Sequence, residues 1–253
     1  MARTIAVVNQ KGGVGKTTTA VNLAVLCSIA RKRCLLVDLD PQANATSGLG
    51  LQASRPTSIG AALAGSAPLE QILLAAKIEG LEVAPGHHSL IEVEQSLVTR
   101  HDSHGVLRSL LESGGRDYDL VFIDCPPSLG LLPFSALVAA HSVLVPIQCE
   151  YFAMEGLTQI LATISQVREV ANPSLQMEGI LFTMFDPSLQ HSVEIIEEVS
   201  SHLPNDTLET IIPRDIALSE AASFGQPIVR YDPASRGARA YIELTREILN
   251  AGQ

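Results

Sequence analysis

Residues 9–18 read N-Q-K-G-G-V-G-K-T-T and set two lysines, Lys11 and Lys16, around Gly12, Gly13 and Gly15. Glycines at this spacing free the backbone to turn successive N–H groups toward one point, the arrangement that cradles phosphate oxygens. Lys16 would then supply a cation to the β- and γ-phosphates of a nucleotide, and the Thr17 hydroxyl a ligand to Mg²⁺. The spacing fits the phosphate-binding loop G-x-x-x-x-G-K-[ST] when its first glycine is allowed to vary. The nucleotide-contacting set is Lys11, Gly12, Gly13, Val14, Gly15, Lys16, Thr17 and Thr18. Such a loop needs only one lysine, so Lys11 calls for a purpose of its own.

Two aspartates, Asp40 and Asp124, are expected at strand ends near the phosphates and carry further chemistry. Asp124 closes the apolar run L-V-F-I-D, the Walker B form, and would hold Mg²⁺ directly or through water. Its alternative role is a helix N-cap, which the following Pro126-Pro127 disfavours by imposing an extended loop. Asp40 follows L-L-V-D-L and precedes Pro41-Gln42-Ala43-Asn44, where a carboxylate could orient the water that attacks a phosphate. Thr17, Asp40 and Asp124 are the candidate metal ligands, and Lys11, Lys16 and Asp40 the candidate catalytic residues.

These residues are positioned by alternating short apolar runs and helical patterns. Ile5 to Val8, Arg33 to Asp38, Leu81 to Ala84, Leu120 to Asp124, Ser142 to Ile147 and Gly179 to Met184 read as buried strands, and Thr207 to Ile212 as a weaker one. Thr17 to Leu26 carries Ala20, Leu23 and Ala24 at helical spacing. Connections long enough for crossover helices predict a mostly parallel, twisted sheet covered on both faces. Open sheets of this kind bind ligands at the carboxyl ends of their strands, which brings Asp40 and Asp124 toward the glycine loop. With no repeat and no low-complexity linker, residues 1–253 read as one domain; the loosest region is about Leu51 to Pro68.

At 253 residues and 46% hydrophobic, the chain can bury a substantial core. The absence of an apolar run near the ~18 residues of a membrane span predicts no membrane insertion, and an N-terminus leading straight into a strand predicts no signal peptide. Cys27, Cys34, Cys125 and Cys149 form no C-x-x-C pair, which suits buried reduced thiols and a cytoplasmic location. His87-His88 and His101/His104 lack neighbouring ligands at metal spacing and read as solvated loop residues.

The stretches K-G-G-V-G-K-T-T-T, L-V-D-L-D-P-Q-A-N-A-T, F-I-D-C-P-P-S-L-G, P-I-Q-C-E-Y-F-A-M-E-G and I-I-P-R-D together resemble the ParA/Soj partition ATPases, which belong with MinD in the deviant Walker A group. The resemblance runs over almost the whole chain and implies a P-loop NTPase fold, slow Mg²⁺-dependent ATP hydrolysis, an ATP-dependent homodimer and a ParB-like activator. It implies that Lys11 reaches across the dimer to the phosphates of the partner's ATP, adding a second cation to the transferring phosphate as an arginine finger does. It sets Pro213, Arg214 and Asp215 against the adenine, with Asp215 where typical members have Asn. It also puts Pro146 to Gly156 near the dimer interface.

Typical chromosomal members bind DNA without sequence preference through arginines, two of which fall at Ser188 and Ala217 here. From Asp186 to Glu220 eight acidic residues face one basic residue, Arg214, and no lysine follows Lys77. Non-specific DNA affinity comes from phosphate neutralisation, and a net charge of −10 opposes it unless a local basic patch intervenes. Arg230, Arg236, Arg239 and Arg246 are the candidate patch, with Arg168 a further candidate member, although each taken singly reads more readily as solvated or ion-paired surface. DNA binding and nucleoid association are therefore expected to be weak. Two other readings stay open. One is a related ATPase that positions another cargo or acts as a MinD-like regulator, although Y-I-E-L-T-R-E-I-L-N-A-G-Q reads as a packing helix and not a basic membrane-binding one. The other is a redox relative such as the nitrogenase iron protein, whose cluster cysteines Cys125 and Cys149 do not match.

Overall fold

The computed structural model describes residues 2–100, 102–114, 117–150 and 153–251. Seven strands form one sheet: β1 (Arg3–Val7), β2 (Cys34–Asp38), β3 (Leu74–Ala75), β4 (Leu81–Ala84), β5 (Leu120–Asp124), β6 (Ser142–Gln148) and β7 (Gln176–Thr183). Their spatial order is β3-β4-β2-β5-β1-β6-β7, and every pairing is parallel except β3 with β4. The central strands β2 and β5 are buried along their whole length, which explains their continuous apolar sequence. Side chains of opposite strand faces enter two cores. One contains Val37, Val121, Ile123, Val145 and the helix Ala153–Val170; the other contains Ile5, Leu36, Phe122 and α1 (Lys16–Ile29).

Helix α1 follows β1 and crosses over to β2, leaving β5 between those two strands. It is enclosed on most sides, so its buried polar residues are all bonded. Thr19 Oγ1 lies 3.0 Å from Tyr241 OH, Asn22 Oδ1 accepts from Ile228 N–H, and Ser28 donates to Ala24 O. Tyr241, Leu244 and Ile248 place the helix Arg236–Asn250 against the core as a packing element.

Three expectations are corrected. Thr207 to Ile212 is not a strand. It runs beside β7, bridging at Ile180↔Thr207 and, beyond its end, Phe185↔Pro213, but between these the Glu247 carboxylate accepts the N–H groups of Glu209 and Thr210. The Leu51 to Pro68 region is not loose: Arg55–Thr57 forms a 3₁₀ turn and Ile59–Leu63 a helix that buries Ile59 and Leu63. Strand β2 ends at Asp38, level with Asp124, so Asp40 lies beyond the strand and not at its end. The four cysteines are free and buried. Of the paired histidines, His87 packs against His88 with the rings tilted and His104 meets Phe134, while His101 is outside the described residues.

Candidate functional site

At the carboxyl end of β1 the chain turns through the glycine loop into α1. Gly13 and Gly15 take φ of +77° and +86°, left-handed values that disfavour a side chain. The loop is held from two sides. Asn9 donates to Pro146 O (2.7 Å) and accepts from Lys11 N–H (3.0 Å), while Thr183 Oγ1 donates to Val14 O (2.9 Å). Gly15 gives α1 no side-chain cap, so the first-turn N–H groups and the helix dipole are directed at whatever fills the loop.

A cleft of about 360 Å³ opens over this loop, lined by Gly12, Gly13, Gly15, Lys16, Thr17 and Thr18, with Asp40, Asn44, Ser47, Pro127, Met184 and Ala222 as the remaining walls. Val14 is buried behind it. The Lys16 ammonium donates to Lys11 O at 2.9 Å. Burial pushes the Lys16 amine down from its ordinary range, against the attraction of Asp124, Cys125 and Asp40.

Asp124 lies at the base of the site with both carboxylate oxygens buried and, among the described residues, without a hydrogen-bond partner in good geometry. Burial and the Asp38 carboxylate hold its acid form far above the ordinary carboxylate range, with Thr17 and Lys16 opposing them. An uncompensated buried carboxylate is costly, and a divalent cation removes that cost. Mg²⁺ takes one or two carboxylates and completes its shell with phosphate and water oxygens, so Asp124 with Thr17 fits it. Asp40 is 6% exposed; its Oδ1 accepts from Gln42 N–H at 2.9 Å.

Asp38, which sequence reasoning passed over, organises the loop that presents Asp40. It is fully buried; Oδ1 accepts from Asp40 N–H (3.2 Å), and Oδ2 from both Thr46 N–H (2.8 Å) and Thr46 Oγ1–H (2.7 Å). Thr46 belongs to the short helix α2 (Asn44–Ser47), and its Oγ1 also accepts from Gly86 N–H at 3.0 Å. Burial, tempered by the Thr46 bonds, pushes the Asp38 carboxyl up to about 6. The available sequence signal was its place at the end of the apolar run C-L-L-V-D.

Lys11 stands at the rim, and its ammonium pairs with Glu150 Oε2 at 2.7 Å. Glu150 lies in the Pro146 to Gly156 stretch; Tyr151 and Phe152 of that stretch are outside the described residues. Pro213, Arg214 and Asp215 do not line the cleft. Asp215 caps the helix Ile216–Ser223 through Ala217 N–H and also accepts from Gly237 N–H. Ser188 is exposed and bonded to Asp186. Of the arginines proposed as a basic patch, Arg236 donates to Arg214 O, Arg246 pairs with Glu243 and Arg168 donates to Leu175 O.

A model of the AAA domain matches residues 2–177. Over 250 residues the chain is 46% identical to the chromosome partitioning protein ParA of Myxococcus xanthus, covering 98% of this chain and 88% of that one. It is 45% identical over 253 residues to the sporulation initiation inhibitor protein Soj of Bacillus subtilis, covering 100% of both. The chain belongs to the ParA/Soj family. A solved structure of cobyrinic acid a,c-diamide synthase from Mycobacterium smegmatis with bound ADP and magnesium is 36% identical, with a TM-score of 0.87, covering 100% of this chain and 97% of that one. The ParA/Soj chain and that structure share a fold, while the higher identity lies with the partition proteins. No described helix is long and apolar enough to cross a membrane.

Proposed function

We propose that residues 1–253 act as one Mg²⁺-dependent ATPase of chromosome or plasmid partition, alternating between an ATP-bound homodimer and an ADP-bound or nucleotide-free monomer, with slow hydrolysis stimulated by a ParB-like partner. The observation that carries this is the unpartnered, buried Asp124 carboxylate beneath an uncapped helix N-terminus and Lys16. Lys16 holds the β- and γ-phosphates, and Thr17 with Asp124 holds the metal. A Mg²⁺ ion held there would supply positive charge to the phosphates during transfer. Asp40, fixed through Asp38, orients the attacking water and contributes to the metal's shell. Lys11 leaves Glu150 and crosses to the partner's phosphates, which makes full activity depend on dimerisation. The adenine lies against Pro213, Arg214 and Asp215; with both Asp215 oxygens already bonded, contacts to the base fall to backbone groups there.

The ATP dimer binds DNA weakly and without sequence preference, and is nucleoid-associated to that extent. The acidic Asp186 to Glu220 stretch and uncharged Ser188 and Ala217 favour a second reading, in which the same ATPase cycle positions a non-DNA cargo. Calorimetric titration with ATP and Mg²⁺ tests the site: Lys16→Ala should abolish binding, and parental affinity in that variant would refute the assignment.

A further inference from the structure

At the other end of α1 the chain spends a cation where the backbone asks for glycine. Arg31 has φ of +65°. Its N–H bonds to Ser28 O and that of Lys32 to Cys27 O, the paired bonds of a helix ending whose left-handed residue is usually Gly. Arg31, Lys32 and Arg33 then line a groove of about 680 Å³ with Ile29, Glu79 and Arg230. Arg230 is set there by the bond from Ile228 N–H to Asn22 of α1. All four cations are exposed. None of their side chains makes an ion pair or hydrogen bond among the described residues, unlike Arg236 and Arg246. The opposing acids are Glu79 in the groove, Glu82 and Asp117, which share the adjoining cavity with Arg33, and Asp119, whose carboxylate accepts from Arg33 N–H at 2.7 Å.

We propose that this groove docks the phosphate backbone of duplex DNA, supplying the basic surface that Ser188 and Ala217 do not. The proposal rests on the DNA-binding part of the function above and changes its mode. Helix α1 has 14 residues, so the groove lies about 20 Å from the phosphate loop. Its lining is separate from that of the phosphate-loop cleft, so its charge does not depend on a bound nucleotide and the contact needs no ATP. A favourable interaction with the carboxyl end of α1 accounts for some positive charge, but a glycine followed by one lysine would serve that end without left-handed strain at Arg31.

The test is fluorescence anisotropy of the full chain with a random-sequence 30-bp duplex, across salt, with ATP, with ADP and with neither. Four phosphate contacts give a log–log salt slope of about −3.6 and a loss of roughly 150-fold between 50 and 200 mM salt. Arg31→Gly relieves the left-handed strain, so its thermal midpoint should hold or rise while its affinity falls. Combined with Lys32→Gln and Arg230→Gln, it should reduce the nucleotide-independent slope to about −0.9. Equal binding and slope in parent and variant would overturn the groove and leave DNA binding standing, as would binding seen only with ATP. No binding by the parent in any nucleotide state would refute the DNA reading itself. A lowered midpoint with unchanged binding would assign the cations to α1 alone. Capture by phosphatidylglycerol vesicles but not by duplex would overturn the choice of partner.

Discussion

Replacing Glu150 by glutamine should tighten the ATP dimer. Lys11 and Glu150 pair at 2.7 Å with side chains 38% and 49% exposed. A pair so open to water is worth about 0.2–1 kcal/mol. In the proposed dimer each Lys11 leaves its own Glu150, so two pairs are given up per association. Removing both carboxylate charges therefore lowers the dissociation constant by roughly 2- to 25-fold, at about 1.4 kcal/mol per decade. Gln keeps the shape and an acceptor for the Lys11 ammonium, so the change isolates charge. Sedimentation velocity of parent and variant with a slowly hydrolysed ATP analogue reads the difference. The gap should narrow as salt rises from about 50 to about 500 mM, because the pair is exposed and screened. A weaker dimer in Glu150→Gln would refute the reasoning, since Glu150 would then be steering Lys11 into its productive position. An unchanged dissociation constant at low salt would show that Lys11 keeps the pair on dimerising.

Asp40→Ala should hold ATP and accumulate as dimer because hydrolysis slows, whereas Lys11→Ala should stay largely monomeric; equal dimer fractions in sedimentation with ATP would contradict their separate roles. Thr46→Val leaves the Gly86 N–H without its acceptor and removes one of three donors to Asp38. Losing bonds at such buried groups costs about 1–3 kcal/mol, read by denaturant unfolding. The turnover rate should fall while ATP affinity, set by Lys16 and Thr17, changes little. In Gly86→Ala the new Cβ would stand 2.8 Å from Asp38 Cγ and 2.9 Å from Asp40 O. The Asp40 loop must shift, so stopped turnover with retained ATP binding is expected, and parental turnover would dismiss the network.

Features fixed by local chemistry were legible in the sequence. The glycine loop imposes its own backbone, and β4 and β5 coincide with their apolar runs because neighbours cover both faces. β6 and β7 extend past their apolar runs because pairing carries them further, through Gln148 and from Gln176. Thr207 to Ile212 has a strand's composition and runs along β7, yet a carboxylate 38 residues on from Glu209 takes its middle amides. No local pattern announces such a partner. The same holds for Glu150, 139 residues from Lys11, and for Arg230 beside Arg31.

The two aspartates of L-V-D-L-D illustrate why the site was only partly legible. Read as a strand, Asp38 and Asp40 share a face and differ in nothing that composition can see. Pairing separates them. The sheet continues through Asp38, level with Asp124, and stops, which buries Asp38 and leaves Asp40 on the cleft wall. Asp38 then receives three hydrogen bonds from the loop it anchors, whereas Asp124 receives none from any described residue. Two buried carboxylates side by side repel, and each needs compensation. Asp38 finds it in Thr46 and the Asp40 amide, so its role is to position; Asp124 has only the partial attraction of Thr17 and Lys16 among the described residues, so the rest of its compensation must arrive with the ligand.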